Sequence, residues 1–140
     1  MVVLLQNLSE KSSMVKINVT KQSNYPVSGV KVRKYLQKFF NEHGIVSDAE
    51  CHVSLVGEEK MLSLAKRYYK DNKLHNVFSF VESEVGNFKN VSNIMQLGEI
   101  VVCFPVALKE AKQEGKLIEE KVLELVGHSA LHLLGIHHQE

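Results

Sequence analysis

Cysteine is scarce in this 140-residue chain, at two, and both cysteines lie in apolar, strand-like runs. Neither Cys51 nor Cys103 has a nearby partner at metal-finger spacing. Buried reduced thiols are therefore expected rather than a disulfide scaffold. Excess charge of one sign is also missing. Seventeen Lys and Arg against sixteen Asp and Glu leave a net charge of +1, which excludes a strongly polyanion-binding surface overall but permits a local basic patch. Long apolar runs are absent. Val2 to Leu5 has no basic region before it and polar residues follow at once, unlike a signal peptide. Ile100 to Leu108 is too short for a bilayer and contains Pro105. A cytoplasmic protein without a membrane partner is expected. With no repeat, low-complexity tract or linker, residues 1–140 are read as a single domain with an ordinary core, at 44% hydrophobic and 24% charged content.

Periodicity divides the chain into strands and helices. Lys16 to Thr20 alternates apolar and polar residues as a strand does. Ser28 caps a helix to about His43, ended by Gly44, with Val32, Leu36, Phe39 and Phe40 as its buried stripe. Cys51 to Val56 is a second strand, and Glu58 and Glu59 open a helix reaching about Tyr69. Asn76 to Val81 and Leu97 to Cys103 are further strands, the last apolar enough at its centre to lie inside the sheet. Residues 82–96 between them read as a loop or irregular hairpin. Pro105 suits the first turn of a helix ending at Gly115, and a last helix runs from about Leu117 to Leu134. The expected class is α+β, with one mixed sheet of about four strands and four to five helices.

Chemistry concentrates at the end of that last helix. His128 and His132 are four apart, so their rings project from one face, a turn apart. Gly135 can take the left-handed geometry that turns the chain, and His138 stands ten residues after the first histidine. Three imidazoles with an open position are the donor set of a catalytic zinc. The spacing is that of the elongated zinc motif of metzincin peptidases, but the glutamate that serves those enzymes as base is here Ser129. Imidazoles suit several transition metals, and zinc is expected on prevalence.

The run from His128 to His138 also resembles the His-Gly-x-Leu-His-Leu-x-Gly-x-Asp-His signature of the YbeY family of bacterial rRNA-maturation endoribonucleases, matching at His128, Leu131, His132, Leu133, Gly135 and His138. Upstream, Leu97-Gly-Glu-Ile resembles that family's Leu-Gly-Asp-Ile strand, and the stretch from Leu64 to Asn76-Val-Phe-Ser-Phe80 resembles its segment ending Val-Leu-Ser-Phe. The resemblance covers roughly residues 50 to 138. It implies one zinc ion on His128, His132 and His138, and an endoribonuclease acting on rRNA or the small ribosomal subunit, with no DNA partner. Ser129 stands for a glycine, His137 for an aspartate able to orient a ligand or hold water, His75 for a threonine, and Tyr69 for an arginine.

In that reading His128 serves catalysis through the metal, while Arg67 and Lys70 are the cations available to replace the arginine. Lys66, Arg67, Lys70 and Lys73 form the expected RNA-binding cluster. His137 and Ser129 are expected beside the ligands. Two other readings stand next to it: a non-catalytic ribosome-associated module whose metal is structural, and a metallopeptidase needing a carboxylate such as Glu99 or Glu124 as its base.

Overall fold

A computed structural model describes residues 15–81 and 94–135. Strand β1 spans Val15–Lys21, helix α1 Gly29–Glu42, β2 Ala49–Val56, α2 Glu58–Leu64, β3 Val77–Phe80, β4 Met95–Cys103, α3 Phe104–Glu114 and α4 Ile118–Leu133. The sheet order is β1-β2-β4-β3, with β1, β2 and β4 parallel and β3 antiparallel to β4. This is the expected α+β class. Among the described residues no helix is long and apolar enough to cross a membrane.

Local signals account for most boundaries. The Ser28 hydroxyl accepts the Lys31 amide at 3.2 Å, and Gly44 and Gly115 sit at φ of 87° and 68° where α1 and α3 stop. Glu120 accepts the Leu117 amide at 3.0 Å and closes the first turn of α4. Two expectations need correction. The helix after Gly57 does not stay α-helical to Tyr69, because Ala65–Tyr69 widens into a π-helical turn ending at left-handed Lys70, φ 53°. The wide turn is stabilised by β3, with Tyr68 packing 5.0 Å from Phe80 and Tyr69 stacking 4.3 Å from Phe78, between ring centroids. Met95 and Gln96, read as loop, belong to β4, because β2 continues its pairing down to Ala49. The rest of the expected loop, residues 82–93, lies outside the described residues.

Alternation decides the two faces of the sheet. Ile17, Cys51, Val53, Leu55, Ile100 and Val102 face α1 and α4 and meet Val32, Leu36, Phe40, Val122 and Val126. Each such fully buried aliphatic side chain contributes about 1.5–3 kcal/mol. On the opposite face Phe78, Phe80, Val101 and Cys103 pack against Met61 and Ala65. The β1–β2 side of that face is polar: Asn18 and Gln96 donate to Glu50 at 2.9 and 3.0 Å, and hold its carboxyl below the usual range.

Two contacts set where α4 lies. Gly127 faces Tyr35 of α1 so closely that an added Cβ would collide with the phenol oxygen. At the other end Gly98 has φ 136°, and a Cβ there would strike the Phe80 carbonyl and press on Leu133. Gly98 follows a bulge, since Glu50 pairs with Gln96 but Cys51 with Gly98.

Helices α3 and α4 are also joined through Lys121, which is only 6% exposed. Its Nζ lies 3.0 Å from Glu114, 3.4 Å from Glu124 and 3.5 Å from Glu110. Burial opposes its charge, but the surrounding carboxylates outweigh that and raise its pKa above the ordinary 10.5. The Lys121 hydrogen bond lowers Glu114, and Lys116 followed by Lys121 lowers Glu124, from the ordinary 4.5. A lowered carboxyl stabilises the fold above its unfolded pKa and loses that contribution as pH falls through the folded value. The lysine's contribution is complete below 10.5 and lost only at more alkaline pH. Thermal melts from pH 7 down to 3 should show a gentler acid-side loss for Lys121→Met than for the wild type. Parallel curves would remove these ion pairs as a source of acid sensitivity.

Candidate metal centre

Helix α4 presents its two histidines where the alternation of its core stripe places them, at the border between Val122, Leu125 and Val126 inside and solvent outside. The His128 and His132 ring centroids are 4.5 Å apart, with planes 59° apart. His128 is exposed, His132 half-buried, and Ser129 fully buried between them. Gly135 has φ 80°, and its amide donates to His132 O at 2.9 Å, so the helix turns off where the spacing requires. His137 and His138, the third ligand of the sequence reading and its neighbour, lie outside the described residues. Among the described residues no three His, Cys, Asp or Glu side chains converge on a common point.

The histidine pair opens onto a cavity of about 340 Å³ whose other wall is Tyr69 and residues 75–79. Edge strand β3 supplies much of that wall. It is pinned at its start, where the Cys103 amide donates to Asn76 O at 2.9 Å and Asn76 Nδ2 donates to Glu110 at 3.1 Å. Tyr69, 46% exposed, lies against Phe78 and donates from its hydroxyl to Ser79 O at 3.4 Å. His75 packs at 4.7 Å from the Phe78 ring and is gripped by Asp71, whose two carboxylate oxygens lie 3.1 and 3.0 Å from Nε2. Desolvation opposes ionisation of Asp71, but the Lys73 amide and the His75 ring outweigh it and lower its pKa.

The basic cluster is placed differently. Lys66, Arg67, Lys70 and Lys73 are all exposed, and none of them lines the cavity. The Arg67 guanidinium sits 5.3 Å above the Tyr68 ring, a cation–π arrangement. Tyr69 thus occupies the wall, flanked in the chain by cations. The sequence reading passed over Asp71 and treated His75 only as a departure. The signal was there in an acid and a histidine four residues apart.

Other groups are excluded from the cavity. Among the described residues no carboxylate lines it. Glu124 is tied to Lys116 at 3.0 Å. Glu99 pairs in register with Phe80 and His52, on the face of the sheet turned away from α4. The Cys51 thiol is pushed up to about 12 by burial and then by Glu99, and burial also raises Cys103, so both remain neutral thiols. A larger cavity of about 670 Å³ is lined, among the described residues, by Ile45, Val81, Met95, Gln96, Leu97, Leu133 and Leu134, none of them an acid, a base or an imidazole. Donor chemistry, not volume, selects the smaller one.

Comparisons with known proteins show the family to which the chain belongs. The family model described as Endoribonuclease YbeY matches residues 15–140. A protein of that name from Azoarcus sp. (strain BH72) is 32% identical over 108 residues, covering 77% of this chain and 43% of that protein. Another, from Halorhodospira halophila, is 34% identical over 111 residues, covering 79% of this chain and 70% of that one. The chain therefore spans less than half the length of the Azoarcus relative and about two thirds of others. A Thermotoga maritima protein solved in solution shares the fold, with a TM-score of 0.56 at 22% identity over 88% of this chain and 75% of that one. By the extent of the family match and the identity to its members, this chain belongs to the YbeY endoribonuclease family.

Proposed function

We infer that this chain is a metal-dependent endoribonuclease of rRNA processing and ribosome maturation, acting in the cytoplasm. Family membership supports the endoribonuclease class. The observation that carries the rest is the His128–His132 pair, 4.5 Å between centroids, opening onto a cavity with an aromatic and imidazole wall. Two imidazoles one turn apart on a helix suit neighbouring positions on one transition metal, and His138 is the third donor that the spacing supplies. When bound, zinc would supply a Lewis acid that lowers the pKa of water toward about 7 and polarises a phosphoryl oxygen. The protein's own contribution is to hold a strand of RNA against that donor pair. The exposed cations at positions 66, 67, 70 and 73 supply phosphate contacts outside the cavity lining, and Tyr69 on the cavity wall offers a ring for stacking.

The test is cleavage. Zinc-loaded protein should cut an rRNA precursor, and a chelator should stop it while readdition of zinc restores it. A loaded protein that leaves every rRNA precursor intact would refute the reading. Charge reversal of both Arg67 and Lys70 should weaken RNA binding and lower its salt slope by about two phosphate contacts, since each neutralised phosphate contributes a slope of about 0.7–0.9. Binding isotherms between 50 and 200 mM salt measure this, and an unchanged slope takes the two cations out of the interface.

The non-catalytic module remains the second reading, favoured by one observation: Tyr69, not a cation, forms the wall opposite the histidines. It is distinguished by stability without activity, a metal that raises the melting temperature of a protein inert toward RNA. The peptidase reading has no such support, because the carboxylates it needs are absent from the cavity among the described residues.

A further inference from the structure

We propose that His75, oriented by Asp71, is the general acid of this site, protonating the sugar oxygen that leaves when an RNA phosphodiester is hydrolysed. The proposal rests on the RNA-hydrolysis reading and deepens it. Three observations carry it. His75 lines the same cavity as His128 and His132, on the facing wall. Both oxygens of Asp71 contact one nitrogen of the ring, Nε2, at 3.0 and 3.1 Å. A carboxylate only accepts hydrogen bonds, so Nε2 carries its hydrogen and the exchangeable proton belongs to Nδ1. The His75 side chain is 31% exposed, enough for a strand in the cavity to touch it, and its plane is held by Phe78 at 4.7 Å and Tyr69 at 6.2 Å.

A base held by a third group is the arrangement that makes an imidazole an effective proton donor. Asp71 fixes the ring through Nε2, so Nδ1 is the nitrogen left for the substrate. In the step, a water oxygen bonds to phosphorus and gives up a proton to solvent. The bond from phosphorus to the leaving sugar oxygen breaks with its electron pair on that oxygen. The Nδ1 proton moves to the same oxygen, giving a hydroxyl and a phosphate monoester. Neutral His75 then takes a proton back from solvent. No other side chain of the cavity wall formed by Tyr69 and residues 75–79 can make this transfer near neutral pH: the others are a phenol, an amide, a hydroxyl and two hydrocarbons.

The plainer role for the pair is to staple the loop, since Asp71 also accepts the Lys73 amide at 3.1 Å. The leaving group separates the two. His75→Gln keeps an N–H for Asp71 but has no ring nitrogen to carry a transferable proton. Its kcat on an oligoribonucleotide should fall about 100-fold or more, the usual worth of a general acid. On a p-nitrophenyl phosphodiester, whose leaving group needs no proton, it should fall less than about fivefold. Asp71→Asn should show the same selectivity with a smaller loss. In wild-type protein the His75 ring signals should shift in NMR when a non-cleavable 2′-O-methyl RNA is added. Equal losses on both substrates mean a structural staple and overturn the proposal, as does an unshifted His75 signal. Wild-type protein inert toward RNA overturns the endoribonuclease reading itself, whereas active wild type with an equally active His75→Gln overturns only the general acid.

Discussion

Protein carrying His132→Ala will keep its fold, lose its response to zinc and stop cutting RNA. His132 is half-buried near the C-terminal end of α4, outside the central core, so truncation costs little packing. What it removes is one of two imidazoles that the helix holds 4.5 Å apart, centroid to centroid. A ligand that binds only the native state at a thousand times its dissociation constant stabilises by about 4 kcal/mol. For a chain of this size that is a rise in melting temperature of about 10–15 °C. Wild-type protein should show such a rise with zinc, and His132→Ala should show none, at a metal content near zero by elemental analysis. Full zinc retention and undiminished cleavage in the variant would end the metal-centre reading. Zinc-dependent melting of a wild type that cleaves nothing would support the structural module instead.

Gly98→Ala should damage the protein more than any core truncation of similar size. Its φ of 136° is reached easily only by glycine, and the new Cβ would run into the Phe80 carbonyl, with Leu133 closing the remaining space. Backbone strain and overpacking each cost about 1–3 kcal/mol, and here both arise because the Phe80 carbonyl is backbone that cannot swing aside as a side chain could. We expect a loss of about 3 kcal/mol or more in urea unfolding, a large part of the 5–15 kcal/mol typical of a domain. Because Leu133 follows His132 directly, surviving folded protein should also bind zinc more weakly. A loss below about 1 kcal/mol would mean that the bulge relaxes freely and that Gly98 does not position α4.

Much of the architecture was legible because it is written in local terms. The Ser28 cap, the glycine stops at 44 and 115, the Pro105 start and the alternation of β1 and β2 each act over a few residues. The interior place of β4 followed from its apolar centre. The π-helical turn at Ala65–Tyr69 was not legible, since its cause is a distant strand: Phe78 and Phe80 capture two successive tyrosines that a regular helix would point apart. Met95 and Gln96 were misread for the same kind of reason, because pairing with β2 and not their own pattern makes them strand.

The candidate site divides along the same line. Spacing alone put His128 and His132 on one helix face, since a helix of fixed pitch converts a separation of four residues into adjacency. It also marked Gly135 as the turn. Which groups face those histidines depended on how β3 docks beside α4, and sequence order carries no information about that contact. Tertiary packing brought Tyr69 and His75 onto the cavity wall, set Arg67 over the Tyr68 ring outside the lining, and left Glu99 and Glu124 away from the cavity. Periodic spacing determines neighbours within an element; only the burial of apolar faces against one another decides neighbours between elements.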